Sequence, residues 1–195
     1  MLRESALKYL KTREAKVGET VEVDWFVFRI IDGNDGIELE TLDFKNLASF
    51  TSDFQITEQI YWAQHETLRR LNANEMSCSL RDPALVSRSY YPGGRNAFIE
   101  RCPSVSPGDC GWYVGVIDDQ IDFNDAESFV HQSLYELTIH DERFARYWLL
   151  PTGYRILFDT DEPRIERVEQ AVASDGQLLP CSVTTADSTA PADAL

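Results

Sequence analysis

The chain has 195 residues, 43% apolar and 11% aromatic, enough for one substantial core or two small ones in a globular protein. Its formal charge of −15, from 33 acids against 18 bases, sets up a field that repels nucleic acid and anionic membranes and attracts cationic partners. Apolar runs such as Trp25 to Phe28 and Tyr147 to Leu150 fall far short of the roughly 20 residues a membrane-spanning helix needs.

Residues 2–15 place Leu2, Ala6, Leu7 and Leu10 on one helical face among lysines and arginines, which predicts a short helix ended by Gly18. Charged residues interrupt the apolar ones throughout this stretch and leave no continuous apolar run of the kind an export signal uses, so the expected location is the cytoplasm. VEVDWFVFRII (21–31), β-branched and aromatic, reads as one strand, and IELETLDF (37–44) alternates as a second. Between them Gly33, Asn34 and Gly36 suit the positive φ of a hairpin loop. Residues 51–74 carry Ile56, Ile60, Ala63, Leu68 and Leu71 at helical intervals, with Ser52 and Gln55 in capping-box spacing and Asn72 and Asn74 suited to termination.

A unit boundary is expected near residue 80, where periodicity fades. Beyond it, ALVSRSYY (84–91) and NAFIERC (96–102) flank a Pro-Gly-Gly turn and predict a second hairpin, with CGWYVGVID (110–118) as the next strand. From Asp125, Ala126, Phe129, Val130, Leu134 and Leu137 form a helical stripe with Asn124 or Asp125 as N-cap. HDERFARYWLL predicts a further helical turn stopped before Pro151, and GYRILFD (153–159) a strand running into a charged stretch. The predicted fold is therefore α+β: a mostly antiparallel sheet from two hairpins plus later strands, packed by amphipathic helices. Residues 1–80 are expected as a helix, hairpin and helix lobe and 81–174 as a second α+β unit. Residues 175–195, poor in aromatics and rich in Ala, Thr, Ser, Asp and Pro, are expected as a disordered tail.

Four cysteines, Cys78, Cys102, Cys110 and Cys181, match neither the paired spacing of zinc sites nor a disulfide framework and read as reduced thiols. Cys110, in an Asp-Cys-Gly-Trp step, is the candidate nucleophile if there is one, yet its neighbour Asp109 disfavours a thiolate and no His stands in a context that marks it as a base. DGNDGIELETLD starts like a calcium loop but has Gly36 and Ile37 where a ligand and the glycine turn belong. His65 is followed by Glu66, but Arg69 occupies the second His position of a zinc helix, and no phosphate-binding or nucleophile-elbow motif occurs. No catalytic residue, metal ligand or cofactor is assigned from the sequence. Trp62, Trp112, Tyr147 and Trp148 fall on apolar periodicities and are expected in the core. The partner-binding candidates are the acidic run Asp118, Asp119, Asp122, Asp125 and Glu127, with Tyr90, Tyr91 and Arg95 displayed by a turn; Tyr and Arg are common interface anchors. Asp125 also suits a plainer role at a helix start.

Taken together, RNAFIERCPSVSPGDCGWYVGVID and ESFVHQSLYELTIHDERFARYWLLPTGYRILFD resemble the bacterial immunity protein 33 domain family over roughly residues 87–159. The steps that carry the resemblance are Asp109-Cys110-Gly111-Trp112 and Leu150-Pro151-Thr152-Gly153-Tyr154. The family often has Ser where Cys110 stands, a small-for-small exchange that argues against a catalytic thiol. The resemblance implies a non-enzymatic immunity protein that binds a cognate bacterial toxin domain and occludes its active site or an essential surface; the acidic field adds the expectation that the toxin surface is cationic. The alternatives are a small hydrolase using Cys110 or clustered acids, and an adaptor whose partner is not a toxin.

Overall fold

A computed structural model of the chain describes residues 2–10, 16–34, 36–104, 108–119, 121 and 125–168. Among these residues, ten strands and three α-helices make an α+β fold with two sheets, one antiparallel and one mostly so. Helix α1 (Leu2–Leu10) buries Leu2, Ala6 and Leu10, the stripe its spacing predicts. The first sheet runs in sequence order through β1 (Thr20–Val23), β2 (Phe26–Gly33), β3 (Gly36–Leu42) and β4 (Phe50–Thr51). The predicted hairpin forms between β2 and β3, with Gly33 opposite Gly36 and Gly36 at φ 124°.

The single strand expected over 21–31 is instead two. The chain reverses at Asp24 and Trp25, so that Val23 faces Phe26. Asp24 takes φ 57°, a conformation Asp tolerates better than most residues, and the reversal sends Trp25 into the core.

Helix α2 (Gln55–Leu71) ends as predicted at Asn72, which adopts the left-handed conformation at φ 48°, ψ 43°. Its start differs. Phe54 is the N-cap residue without a side-chain cap, and the Asp53 carboxylate takes the Gln55 amide at 3.0 Å, so no capping box forms at Ser52. The fully buried residues are Thr57, Gln64, Thr67 and Leu68; of the predicted apolar stripe only Leu68 is among them, while Ile60 and Leu71 are half-buried against the core. This polar face is satisfied by specific bonds: the hydroxyls of Thr57 and Thr41 lie 3.0 Å apart, and the Gln64 amide donates to the Ala145 carbonyl at 2.8 Å. Trp62, expected in the core, is rotated outward and 50% exposed.

The second sheet holds β5 (Pro83–Ser87), β6 (Ala97–Arg101), β7 (Trp112–Val116), β8 (Phe129–Ser133), β9 (Tyr154–Leu157) and β10 (Arg164–Arg167), in the spatial order β10-β9-β6-β7-β5-β8. The second predicted hairpin does not form: β5 pairs with β7 in parallel and with β8 antiparallel, while β6 pairs with β7 and β9. Residues 88–96 are therefore no tight turn. They carry the chain across one strand position, which β7 then fills.

The helix expected from Asp125 through Leu137 resolves into three pieces. Asp125 does cap, but only a 3-10 turn over Ala126–Ser128; β8 follows, and α3 (Leu134–His140) starts at a full capping box between Ser133 and Glu136. Phe129 and Val130 suit a strand as well as a helix, and pairing with β5 decides between them. A 3-10 segment, Glu142–Tyr147, supplies the turn predicted before Pro151, and the charged stretch after β9 contains the edge strand β10.

One continuous core includes Trp25, Phe26 and Phe28 from the first sheet, Val86, Ile99, Trp112, Val114 and Ile156 from the second, and Leu137, Phe144 and Trp148 from the helical segments. Hydrogen bonds also join residues before 80 to residues after it: the Met76 amide reaches the Leu149 carbonyl at 3.0 Å and the Tyr135 hydroxyl the Asp43 carbonyl at 2.8 Å.

Candidate partner-binding site

The two ends of the second sheet differ in chemistry. At one end β6 finishes in Arg101, whose buried guanidinium donates to five backbone carbonyls: Cys110 at 3.0 Å, Met76 at 2.7 Å, Ser77 at 3.0 Å, Trp148 at 3.2 Å and Leu150 at 2.9 Å. Burial pushes its pKa down, yet an arginine remains protonated at any physiological pH. The Asp-Cys-Gly-Trp step closes around this cation. Asp109 accepts the Gly111 amide at 2.8 Å, Gly111 takes φ 75° where a Cβ would overlap the Cys102 carbonyl, and the Trp112 indole donates to the Trp148 carbonyl at 3.1 Å. The Leu-Pro-x-Gly step closes the other side, with the Gly153 amide on the Arg101 carbonyl at 3.0 Å. Both sequence signatures therefore serve this buried knot.

Cys110 belongs to the knot. It is 6% exposed, its thiol donates to the Pro83 carbonyl at 3.1 Å, and burial pushes its pKa up to about 11. Cys78 nearby is pushed up to about 12 by the same cause, and its thiol points at the Trp148 carbonyl at 3.3 Å. Thiols so held stay protonated at neutral pH, whereas nucleophilic attack needs a thiolate. The buried carboxylate Glu100 is engaged by Arg155 across β6 and β9 at 2.6 Å. Among the described residues no group of three His, Cys, Asp or Glu side chains could hold a metal ion.

The opposite end collects the partner-binding candidates. Because β5 and β7 are parallel, the segment after Ser87 and the segment after Val116 leave the sheet side by side, and the 3-10 turn before β8 meets them. Asp118 is exposed at φ 64°. The exposed Asp119 carboxylate accepts the Ser89 hydroxyl, and the Ile117 amide donates to the Asn96 carbonyl at 2.7 Å. Asp125 is occupied locally, accepting the Glu127 amide at 3.0 Å and the Ser128 hydroxyl at 2.8 Å, while Glu127 is exposed and its carbonyl takes the Arg88 guanidinium at 2.5 Å. Asp122 lies outside the described residues.

Tyr90, Tyr91 and Arg95 share this end but not one role. Tyr90 is half-buried, its ring 5.8 Å from that of Phe144 and its hydroxyl donating to Asp141 at 3.2 Å, and burial beside that carboxylate raises its pKa. Tyr91 is 78% exposed and Arg95 is exposed too. An open hollow of about 220 Å³ lies alongside, lined by Val86, Arg88, Tyr90, Pro92, Val130 and Gln132. Sequence reasoning singled out neither Arg88 nor Asp141. Asp141 carried a signal only as the start of a helical turn, and its contacts to the segment at 90–94 are non-local.

The family model for the Imm33-like domain matches residues 63–170, more than half of the chain. No curated protein and no solved structure matches it. No helix among the described residues is long and apolar enough to cross a membrane.

Proposed function

This chain belongs to the Imm33-like domain family, and from that premise we propose that it is an immunity protein that binds a cognate bacterial toxin domain and neutralises it by occlusion, without enzymatic activity of its own. The observation that carries the reading is the family match over residues 63–170. Two features of the molecule support it. The motif residues, including the one cysteine in a nucleophile-like step, are engaged in a structural knot, while the other end of the second sheet holds charged and aromatic side chains open to solvent. That end carries Asp118, Asp119, Asp125 and Glu127, in keeping with the overall charge of −15, so the partner it suits is cationic. The proposed site of action is the cytoplasm, where an immunity protein protects the cell that makes the toxin.

The mechanism is steric and electrostatic. Opposite charge speeds encounter, and a few well-seated anchors slow release. The test is calorimetric titration of the purified chain into the toxin domain encoded beside its gene, with the toxin's activity followed in parallel. A saturable complex whose formation abolishes activity at equal molar amounts is the expected result. Absence of binding, or a complex in which the toxin stays fully active, overturns the reading.

A further inference from the structure

We propose that residues 88–96 form a rigid head of the partner-binding surface, with Tyr91 as its anchor and Asp141 as the residue that holds it in position. The partner is a protein whose cationic rim surrounds a pocket for the Tyr91 ring. This rests on the immunity reading above and assigns it a surface.

Nine residues outside any strand or helix would ordinarily be mobile, and ordering them on binding would cost backbone entropy at every residue fixed. This segment is already tied down along its length. At its base the Arg88 amide donates to the Ser128 carbonyl at 3.0 Å, Ser89 to the Asp119 carboxylate, and Asn96 receives the Ile117 amide. At its apex Asp141 takes over. This carboxylate, 5% exposed, accepts the Tyr90 hydroxyl and the Gly93 amide at 3.2 Å each. Arg143 grips it through Nε at 2.7 Å and through a terminal nitrogen at 2.5 Å, and that nitrogen also donates to the Gly94 carbonyl at 3.0 Å. One half-buried ion pair thus fixes three residues of the apex to the 3-10 segment behind it.

Against that frame Tyr91 stands out, a large ring left 78% exposed between two residues that line the hollow, Tyr90 and Pro92. An exposed aromatic on a pre-ordered segment loses little entropy on docking, with only two side-chain torsions to fix. The adjoining hollow of about 220 Å³ offers the partner a matching recess, so that each surface presents a knob and a hole. At the same end of the sheet the exposed carboxylates of Asp118, Asp119, Asp125 and Glu127 outnumber the exposed guanidiniums of Arg88 and Arg95, which selects a basic rim on the partner.

The experiment compares the wild type, Tyr91→Ala, Asp141→Asn and the double variant, titrated calorimetrically into the toxin domain encoded beside the gene. Hydrogen exchange is followed on the free chains. Tyr91→Ala is expected to weaken binding about 30-fold, the scale of an interface hot spot, with an unchanged melting temperature. Asp141→Asn is expected to speed amide exchange at residues 90–94 about tenfold while β6 and β7 keep their protection, and to weaken binding. In the double variant the Asn substitution should cost almost no further affinity, because a positioning residue has no effect once the anchor is gone. Affinity within twofold after Tyr91→Ala, unchanged exchange after Asp141→Asn, or strict additivity in the double variant would each overturn the proposal. A wild-type chain that does not bind that domain overturns the immunity reading and this proposal with it; wild-type binding that survives Tyr91→Ala overturns the proposal alone.

Discussion

The two ends of the second sheet are separated by the five residues of β6, about 13 Å, yet they obey opposite rules. At the Arg101 end the chemically conspicuous side chains are buried and bonded inside the protein: a cation facing five carbonyls, two protonated thiols and, beside them, a glycine with no room for a Cβ. At the Asp118 end the conspicuous side chains, Tyr91, Arg95, Asp118 and Glu127, point into solvent from segments whose backbones are fixed. The lesson is that the residues by which the family is recognised need not be the residues that meet a partner. Here the recognisable motifs make the scaffold, and the surface proposed for binding is carried on the connections at its far end.

Substitutions can test how sharply this division holds. The largest effect is expected for Arg101→Met, which removes the cation and strands carbonyls it had satisfied. Denaturant titration should show a loss on the order of 3–5 kcal/mol, enough to threaten folding. Gly111→Ala comes next at about 2–3 kcal/mol, because φ 75° and the Cys102 carbonyl both exclude a side chain. At the other end, replacing Asp118 and Asp119 together by Lys should lower the melting temperature less than either of these, through the φ 64° at Asp118 and the lost Ser89 bond alone. It should weaken toxin binding roughly tenfold, mostly through a slower and less salt-sensitive association rate in surface-plasmon measurements. A large loss of stability from the Lys pair, or none from Arg101→Met, would break the comparison.

The effect that is smallest at neutral pH, and grows only in alkali, is the pH dependence of stability. Burial raises the Cys110 and Cys78 thiols from the ordinary 9.0 to about 11 and about 12, so the folded chain holds these protons more tightly than the unfolded one. That contribution is whole below the unfolded value and is lost as pH rises through the folded ones. The denaturation midpoint should fall as pH rises from about 9 towards about 11, and fall less in Cys110→Ala. The same protonation makes Cys110 slow to alkylate in the native chain at neutral pH. Rapid labelling coupled to loss of a measurable activity would instead favour a thiol enzyme.

The parts of the fold that were legible in the sequence rest on local chemistry. The β2–β3 hairpin follows from Gly33, Asn34 and Gly36 between alternating strands, and α2 stops at the Asn72 its sequence offers. What stayed hidden depends on partners distant along the chain. Nothing near residues 84–102 tells β7 to insert between β5 and β6, and Phe129 to Ser133 become a strand because β5 supplies an edge. Trp62 misled because its spacing is helical while the face that packs is built from Thr57, Gln64 and Thr67, whose hydroxyls and amide find polar partners inside. At the candidate site, Tyr90, Tyr91 and Arg95 could be placed on a connection from the Pro-Gly-Gly step, and the acids could be read as a run. Their meeting at one sheet end depends on the parallel β5–β7 pair, and the clamp on that connection joins Gly93 to a carboxylate 48 positions away, beyond the reach of any local pattern.

The central claim is that this chain disarms a toxin, and growth measures it directly. The gene beside its own is expressed in a sensitive bacterial host, alone and together with this chain. The account predicts arrest in the first case and restored growth in the second, with rescue lost when Tyr91→Ala is combined with Asp118→Lys and Asp119→Lys in a chain that still folds. Arrest that persists with the wild-type chain present at equal or higher abundance would contradict it.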